Sequence, residues 1–159
     1  MIVLGIDPGL IKTGYGVVAM KDNNIMYITS GTIFTDTKLP IENRLKNIFV
    51  EIDRLIKMYE PNYFSIEETF VNNNPTSSLK LGQARGVAIL CAGMNNIPVF
   101  EYKPNTIKKS VTGVGKATKD QIGMMIKCLL PQVNLKTEDE ADALAIAICH
   151  MNNFNPKLK

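Results

Sequence analysis

Three strand-like segments stand in succession at the start of the chain, and helix-like and strand-like segments alternate after them. The first is the apolar run at 2–6, which ends at the turn-forming sequence DPG at 7–9. Further strands are predicted at 14–20 and 25–35, and the turn formers at 21–24 join them as a hairpin. Successive strands followed by alternation indicate an α/β fold, with a mixed sheet covered by helices on both faces.

The alternating part begins with a helix, because apolar residues recur at helical spacing through 41–59 and Pro61 ends the pattern. The same criteria predict strands at 63–67 and 97–102, and helices at 75–95, 104–110, 119–130 and 138–153. The 159 residues suit one domain, 1–159, with a single core.

Composition excludes several classes of protein. A chain that is 45% hydrophobic and 21% charged is ordinary for a globular domain. No stretch approaches the roughly 20 apolar residues of a membrane span, and the start MIVLGIDPG lacks the basic region of a signal peptide. Three dispersed cysteines argue against a disulfide or thiolate zinc site and favour a reducing compartment. We therefore expect a soluble cytoplasmic protein.

Four acidic residues lie where a purely structural role is hard to justify. Asp7 and Glu67 each end an apolar strand, at the edge where α/β folds place ligands. Asp139 and Asp142 are three residues apart near the start of a helix, so both project from one side of it. Asp142 also opens the run DALAIAI, where an unpaired carboxylate is costly to bury.

Structural alternatives remain open for most of these acids. Asp7 alone can begin a turn, and Glu68 is a rival to Glu67 because alternate strand residues face opposite sides. Asp139 can stabilise the helix dipole, and Thr137 with Glu140 has the spacing of a capping box. These structural roles do not account for Asp142.

Carboxylates that converge without histidine or cysteine suit hard cations, Mg²⁺ or Mn²⁺ rather than zinc. Magnesium bridges phosphate oxygens, and a pair of ions can activate water and stabilise a leaving oxygen. His150, the lone histidine, is interpreted as a helix-end residue rather than a ligand. The acids thus predict metal-dependent phosphoryl chemistry.

Positive charge is concentrated in residues 103–127, which carry six lysines against one aspartate in a chain of net charge +3. Such a patch favours a phosphate backbone as ligand, and the alternative is a solvated helix face. The glycines on either side of Val114 interrupt the helices next to Lys116. This interruption favours a substrate-binding loop.

Phe70 follows Glu67 closely, in a segment expected to be an exposed loop. An aromatic side chain beside an active site can stack on a base or wedge into a distorted duplex. Anchoring of the loop is the alternative interpretation.

With these residues assembled, the chain resembles the RuvC family of Holliday-junction resolvases nearly end to end. The resemblance rests on GIDPG with TGYGVV, IEETF, LKLGQARGVAI, PVFEY, VTGVGKATKDQI and DEADALAIAICH. The order and spacing of LGQARGVAI and DEADALAIA are its most specific part.

The resemblance implies a ribonuclease-H-like fold that acts as a homodimer on four-way DNA junctions in recombination and repair. Each subunit would make one of two symmetric nicks, leaving a 5′-phosphate and a 3′-hydroxyl. Handover of the junction from a branch-migration motor protein is also implied.

The resemblance further implies roles for individual residues. Glu67 rather than Glu68 is the family acid, and two Mg²⁺ ions, with Mn²⁺ as a substitute, would be held by Asp7, Glu67, Asp139 and Asp142. Lys108 and Lys119 match family lysines near the scissile phosphate, and Lys119 would offset charge that develops there. Phe70 matches the aromatic residue that enters the junction centre.

Two departures limit what carries over from the family. The tail after the last helix is short, and the sequence NNNP at 72–75 differs locally from other members. The resemblance therefore does not indicate which DNA sequence is preferred for cleavage.

Three other functions share part of this sequence pattern. An actin-like phosphotransferase shares the phosphate-binding turn, but it needs two domains to enclose a nucleotide, and 159 residues are too few. A non-catalytic junction-binding protein would be expected to have lost acids that are all present. A ribonuclease-H-like nuclease acting on RNA fits the same chemistry, so that distinction rests on the basic segment and the resemblance.

Overall fold

The computed structural model describes residues 1–69 and 75–154, which form five strands and five helices. The strands are β1 (Ile2–Asp7), β2 (Lys12–Lys21), β3 (Asn24–Phe34), β4 (Tyr63–Glu67) and β5 (Val99–Tyr102). The helices are α1 (Ile41–Tyr59), α2 (Pro75–Met94), α3 (Pro104–Thr112), α4 (Lys119–Leu129) and α5 (Glu138–Asn153).

The strands form one mixed sheet in the order β3-β2-β1-β4-β5. β2 pairs antiparallel with both β1 and β3, whereas β4 runs parallel to both β1 and β5. The hairpin between β2 and β3 turns at Asp22 and Asn23, whose φ values of 49° and 61° suit a tight two-residue turn. The predicted mixed five-stranded sheet is confirmed.

Helices cover both faces of the sheet, as predicted. Alternate residues of a strand face opposite sides, so β1 contributes Leu4 and Ile6 to the core under α1 and α2, and Val3 to the core under α3, α4 and α5. β1 is therefore buried on both faces, which explains why its sequence is a continuous apolar run.

Helix α5 lies unusually close to the sheet because two strand residues beneath it have no side chain. A Cβ atom on Gly5 would lie 2.9 Å from the Ala147 Cβ, and one on Gly16 would lie 2.8 Å from the Leu144 Cδ2. Both distances are too short for real contacts, so these positions require glycine. The helix is buried from Ala143 to Met151 as a result.

Small differences from the predicted boundaries have local causes. The strand expected at 97–102 begins at Val99, because Pro98 has no N–H to donate to a neighbouring strand. Asn96 is left-handed, with φ of 56°, and helix α2 ends two residues earlier at Met94. A residue in this conformation commonly follows a helix end.

Within residues 1–69 and 75–154 no helix combines the length and apolar character needed to cross a membrane. All three cysteines are free thiols, and Cys91 and Cys149 are buried.

Candidate active site

A cavity of about 270 Å³ opens at the end of the sheet where β1 and β4 finish. Five of its lining residues are charged: Asp7, Glu67, Lys108, Lys119 and Asp142. The others that line it are apolar or proline: Pro104, Ile107, Ile122 and Ile146. This acid cavity therefore has a charged end set against an apolar wall.

The register of the sheet brings Asp7 and Glu67 together. β1 and β4 are parallel neighbours with Ile6 opposite Ile66, so the next residue of each strand lies at the same edge. Ile6 and Ile66 both face α1 and α2. Asp7 and Glu67 consequently face the other side, where α5 lies.

Glu68, the rival of Glu67, lies beyond the end of β4. Its backbone N–H donates to the Tyr102 carbonyl at 2.9 Å, and its side chain does not line the acid cavity. Position in the sheet thus favours Glu67 over Glu68 as the acid of the candidate site.

The first turns of α5 supply the remaining acids. The Thr137 hydroxyl accepts a hydrogen bond from the Glu140 N–H at 3.2 Å and caps the helix. Asp142 lines the acid cavity, whereas Asp139 does not. Asp139 is nevertheless close enough that its charge raises the pKa of both Asp7 and Asp142.

These four residues, Asp7, Glu67, Asp139 and Asp142, form an electrostatically coupled acid cluster. The pKa of Asp7 is raised from 3.8 to about 8, first by burial. Repulsion from Asp142, Glu67 and Asp139 adds to this shift, in that order. Burial and then the charge of Asp142 raise the pKa of Glu67, and burial also raises that of Asp142. A bound cation would relieve this repulsion.

Two lysines face the acid cluster. The Lys119 Nζ lies 3.3 Å from the Asp142 Oδ2 and 3.4 Å from the Glu138 Oε2. Its position follows from the cap of α4, where Thr118 and Gln121 form a reciprocal capping box. Lys108 approaches from α3, and its charge lowers the pKa of Glu67.

The donor set fits a hard divalent cation. Its atoms are carboxylate oxygens, which Mg²⁺ and Mn²⁺ prefer. Burial first, and then the charges of the other acids, raises the pKa of Asp7, and a bound cation would favour its charged form. In the part of the chain that the structure describes, no three such side chains already stand in the arrangement of a finished metal site.

Other residues singled out in the sequence lie elsewhere. Lys116 lines neighbouring surface clefts rather than the acid cavity. His150 is buried near the end of α5 and contacts the Tyr102 hydroxyl. Phe70 lies outside the described residues, so its expected place in an exposed loop stays a prediction.

Two residues near the acid cluster were not predicted from the sequence. Glu138 contacts Lys119, and Arg85 donates from its Nε to the Glu67 carbonyl at 3.3 Å. The available signal for Arg85 was its place in the motif LGQARGVAI, but no spacing rule links α2 to the end of β4.

The comparisons with known proteins agree over nearly the whole chain. A family model described as crossover junction endodeoxyribonuclease RuvC matches residues 3–150. The crossover junction endodeoxyribonuclease RuvC of Rhodospirillum rubrum is 49% identical over 150 residues, which cover 94% of this chain and 89% of that protein. The protein of the same name from Bartonella bacilliformis is 43% identical, covering 99% of this chain and 96% of its own length.

Solved structures show the same similarity. RuvC of T. thermophilus in complex with a Holliday junction substrate has a TM-score of 0.89 at 29% identity, covering 96% of this chain and 93% of that one. The yeast mitochondrial Holliday junction resolvase Ydc2 has a TM-score of 0.65 at 13% identity, covering 94% of this chain and 78% of that one. The second likeness concerns the fold alone, and together they confirm the ribonuclease-H-like architecture.

Proposed function

This chain belongs to the RuvC family of crossover junction endodeoxyribonucleases, and on that premise we propose that it resolves four-way DNA junctions by metal-dependent hydrolysis of phosphodiester bonds. One observation carries the proposal. Acids from three separate elements, β1, β4 and α5, meet in a single cavity that two lysines also line.

The acid cluster would hold two Mg²⁺ ions, through Asp7, Glu67, Asp139 and Asp142, with Mn²⁺ as a substitute. Ions bound there would supply an activated water and offset the charge of the leaving oxygen. The apolar wall of Ile107, Ile122 and Ile146 limits water on one side of the acids. Charge interactions are stronger where water is excluded.

Lysines would complete the site on the DNA side. Lys119 would leave Asp142 for the scissile phosphate and offset the charge that develops on it, and Lys108 would assist from α3. Lys116 would contact the phosphate backbone farther from the cut. Phe70 would enter the junction centre from the segment after β4. Cleavage and junction binding, measured on single substitutions of these residues, would separate a role in the cleavage step from a role in binding the DNA.

Paired incision requires two copies of the site, and a two-fold dimer matches the near two-fold symmetry of a junction. The exposed side of α2 suits such a contact. It presents Leu79, Leu90 and Met94, which are 70%, 57% and 65% exposed, together with glycines that have nothing within 4 Å of an added Cβ. From Gly86 to Met94 the helix carries no charged residue. We propose this face as the homodimer interface.

The test uses a labelled four-way junction and a linear duplex of matching sequence, each with and without Mg²⁺. We expect symmetric nicks in the junction alone, and only when metal is present. Binding without cleavage in Mg²⁺ or Mn²⁺ would contradict catalysis, and equal cutting of the duplex would indicate a general nuclease. A preference for RNA would favour the ribonuclease alternative.

Two neighbouring acids provide a matched pair for the same assay. Glu67→Gln should abolish cleavage while junction binding persists, because the lost carboxylate holds metal rather than DNA. Glu68→Gln should cut as the wild type does, since its side chain lies outside the acid cavity. Loss of binding together with cleavage in Glu67→Gln would show that the acids are structural.

A further inference from the structure

Arginine is rare in this chain. Of its 18 basic residues only Arg44, Arg54 and Arg85 are arginines, and the rest are lysines. Arginine differs from lysine in presenting a planar fork of five N–H donors, which can hold two acceptors at once in fixed directions. An arginine that binds two acceptors at once therefore fixes the relative position of the two segments that carry them.

Arg85 uses both ends of its fork beside the acid cluster. From α2 its Nε donates to the main-chain carbonyl of Glu67 at 3.3 Å, and its Nη2 forms an ion pair with Glu101 on β5. The Arg85 side chain is only 19% exposed. One side chain thus ties the last residue of β4 to the neighbouring strand and to α2.

Arg44 does the same for the turn that follows Asp7. From α1 its Nη2 donates to the Leu10 carbonyl at 3.0 Å, and its Nε donates to the Thr35 hydroxyl at 3.1 Å. That hydroxyl, which is buried, also donates to the Leu10 carbonyl. The main chain leaving β1 is therefore held from two directions.

Arg54 shows what an arginine does elsewhere in this molecule. It is 51% exposed and pairs with Glu51, one turn earlier on the same helix. Exposed pairs of this kind contribute little to stability. Arg54 provides a control with the same chemistry and no contact with the site.

We propose that Arg85 and Arg44 are positioning residues for the acid cluster: they hold the main chain of Glu67 and of the turn after Asp7, so that these carboxylates are aimed at a divalent cation. Each arginine binds one main-chain carbonyl and one side-chain acceptor, and neither contacts an acid of the cluster through its side chain in the described structure. This inference rests on the proposed metal-dependent function. A lysine at either position carries its donors on a single nitrogen and cannot reproduce the two fixed directions of the fork.

The test compares Arg85→Lys and Arg54→Lys with the wild-type full-length protein. The first measurement is Mn²⁺ affinity by calorimetry, without DNA. Substitution of groups that orient metal ligands weakens metal binding by about 10-fold to 100-fold. We expect a loss of this size in Arg85→Lys and none in Arg54→Lys.

A second measurement separates positioning from DNA contact. Junction affinity in EDTA, without divalent metal, should be the same in Arg85→Lys and the wild type, because the guanidinium is engaged by protein acceptors. Unchanged Mn²⁺ affinity in a folded Arg85→Lys protein would overturn the inference. Weaker junction binding with unchanged Mn²⁺ affinity would also overturn it, and would make Arg85 a DNA contact.

Glu101→Gln covers the case in which Arg85→Lys does not fold. Glu101 is 46% exposed, so its substitution leaves the core intact while it removes the charge that holds the outer end of Arg85. We expect weaker Mn²⁺ binding here as well, and unchanged binding would overturn the inference. If the wild type itself neither binds Mn²⁺ nor cuts junctions, the proposed function fails instead.

Discussion

At the scale of single residues, His150 shows how an ionisable group can be structural. It is fully buried, and its Nδ1 lies 2.8 Å from the Tyr102 hydroxyl. The rings of Tyr63, Phe100 and Phe154 surround it at centroid distances of 5.0, 4.6 and 4.9 Å. Burial lowers the pKa of His150 from 6.5 to about 4. The imidazole is therefore neutral in the folded protein at neutral pH.

This pKa shift predicts a pH dependence of stability. As pH falls below 6.5 the unfolded chain takes up a proton on His150 while the folded chain does not until about pH 4. The contribution of His150 to the free energy of unfolding should decrease across that window by up to about 1.4 kcal/mol per pH unit as pH falls, with no contribution above it. The raised pKa of Asp7 contributes with the opposite sign over the same window, so the slope of His150 is read from the difference between the wild type and a variant that lacks it. Urea denaturation at about pH 7.5, 6.5 and 5.5 would measure the slope.

His150→Phe is the matched variant, because it fills the aromatic cluster without an ionisable group. Below pH 6.5 the wild type should lose stability relative to this variant, because only the wild type carries the contribution of His150. An identical slope in both proteins would assign the pH dependence to other groups.

At the scale of elements, the start of α4 links stability to the site. Thr118 caps the helix by accepting from the Gln121 N–H at 3.3 Å, and Lys119 is the next residue. Thr118→Ala should cost about 1 kcal/mol of stability, because the first turn loses its side-chain acceptor. Cleavage should slow as well, since a frayed first turn no longer holds Lys119 beside Asp142.

Thr118→Ser retains the hydroxyl and should restore both properties. Denaturant unfolding and single-turnover junction cleavage measure them. A Thr118→Ala protein with full stability and full activity would contradict the importance of the cap.

The elements also show what the sequence could predict. Helix α1 and strand β4 have the predicted bounds because strong periodicity and proline mark them. Asp7 and Glu67 were placed together because each ends an apolar strand, and the parallel register of β1 and β4 bears this out. The contact between Lys119 and Glu138 and the contact of Arg85 with a main-chain carbonyl were not predictable. They join segments distant in sequence or lacking a spacing rule, so only the packed fold reveals them.

At the scale of the whole molecule, the proposed paired incision needs two sites to act together on one junction. If the uncharged face of α2 is the dimer interface, a charge placed there would be buried and unpaired on association. Leu90→Glu should therefore yield a monomer that folds, because Leu90 is 57% exposed in the single chain. Sedimentation would measure the change, and junctions should then be nicked on one strand at a time.

Met124→Glu is the control for this change. Met124 is 68% exposed on α4, beyond the proposed interface, so a charge there should leave the dimer intact. Two variants with the same oligomeric state would place the interface on another face.

The close contact of α5 with Gly5 and Gly16 has a consequence for how the protein fails on heating. Asp139 and Asp142 lie on the first turns of the helix that forms the centre of one core. The acids cannot separate unless that helix lifts from the sheet, and lifting it opens the core. Inactivation and melting should therefore occur at the same temperature, with no warm state that is folded yet unable to cut.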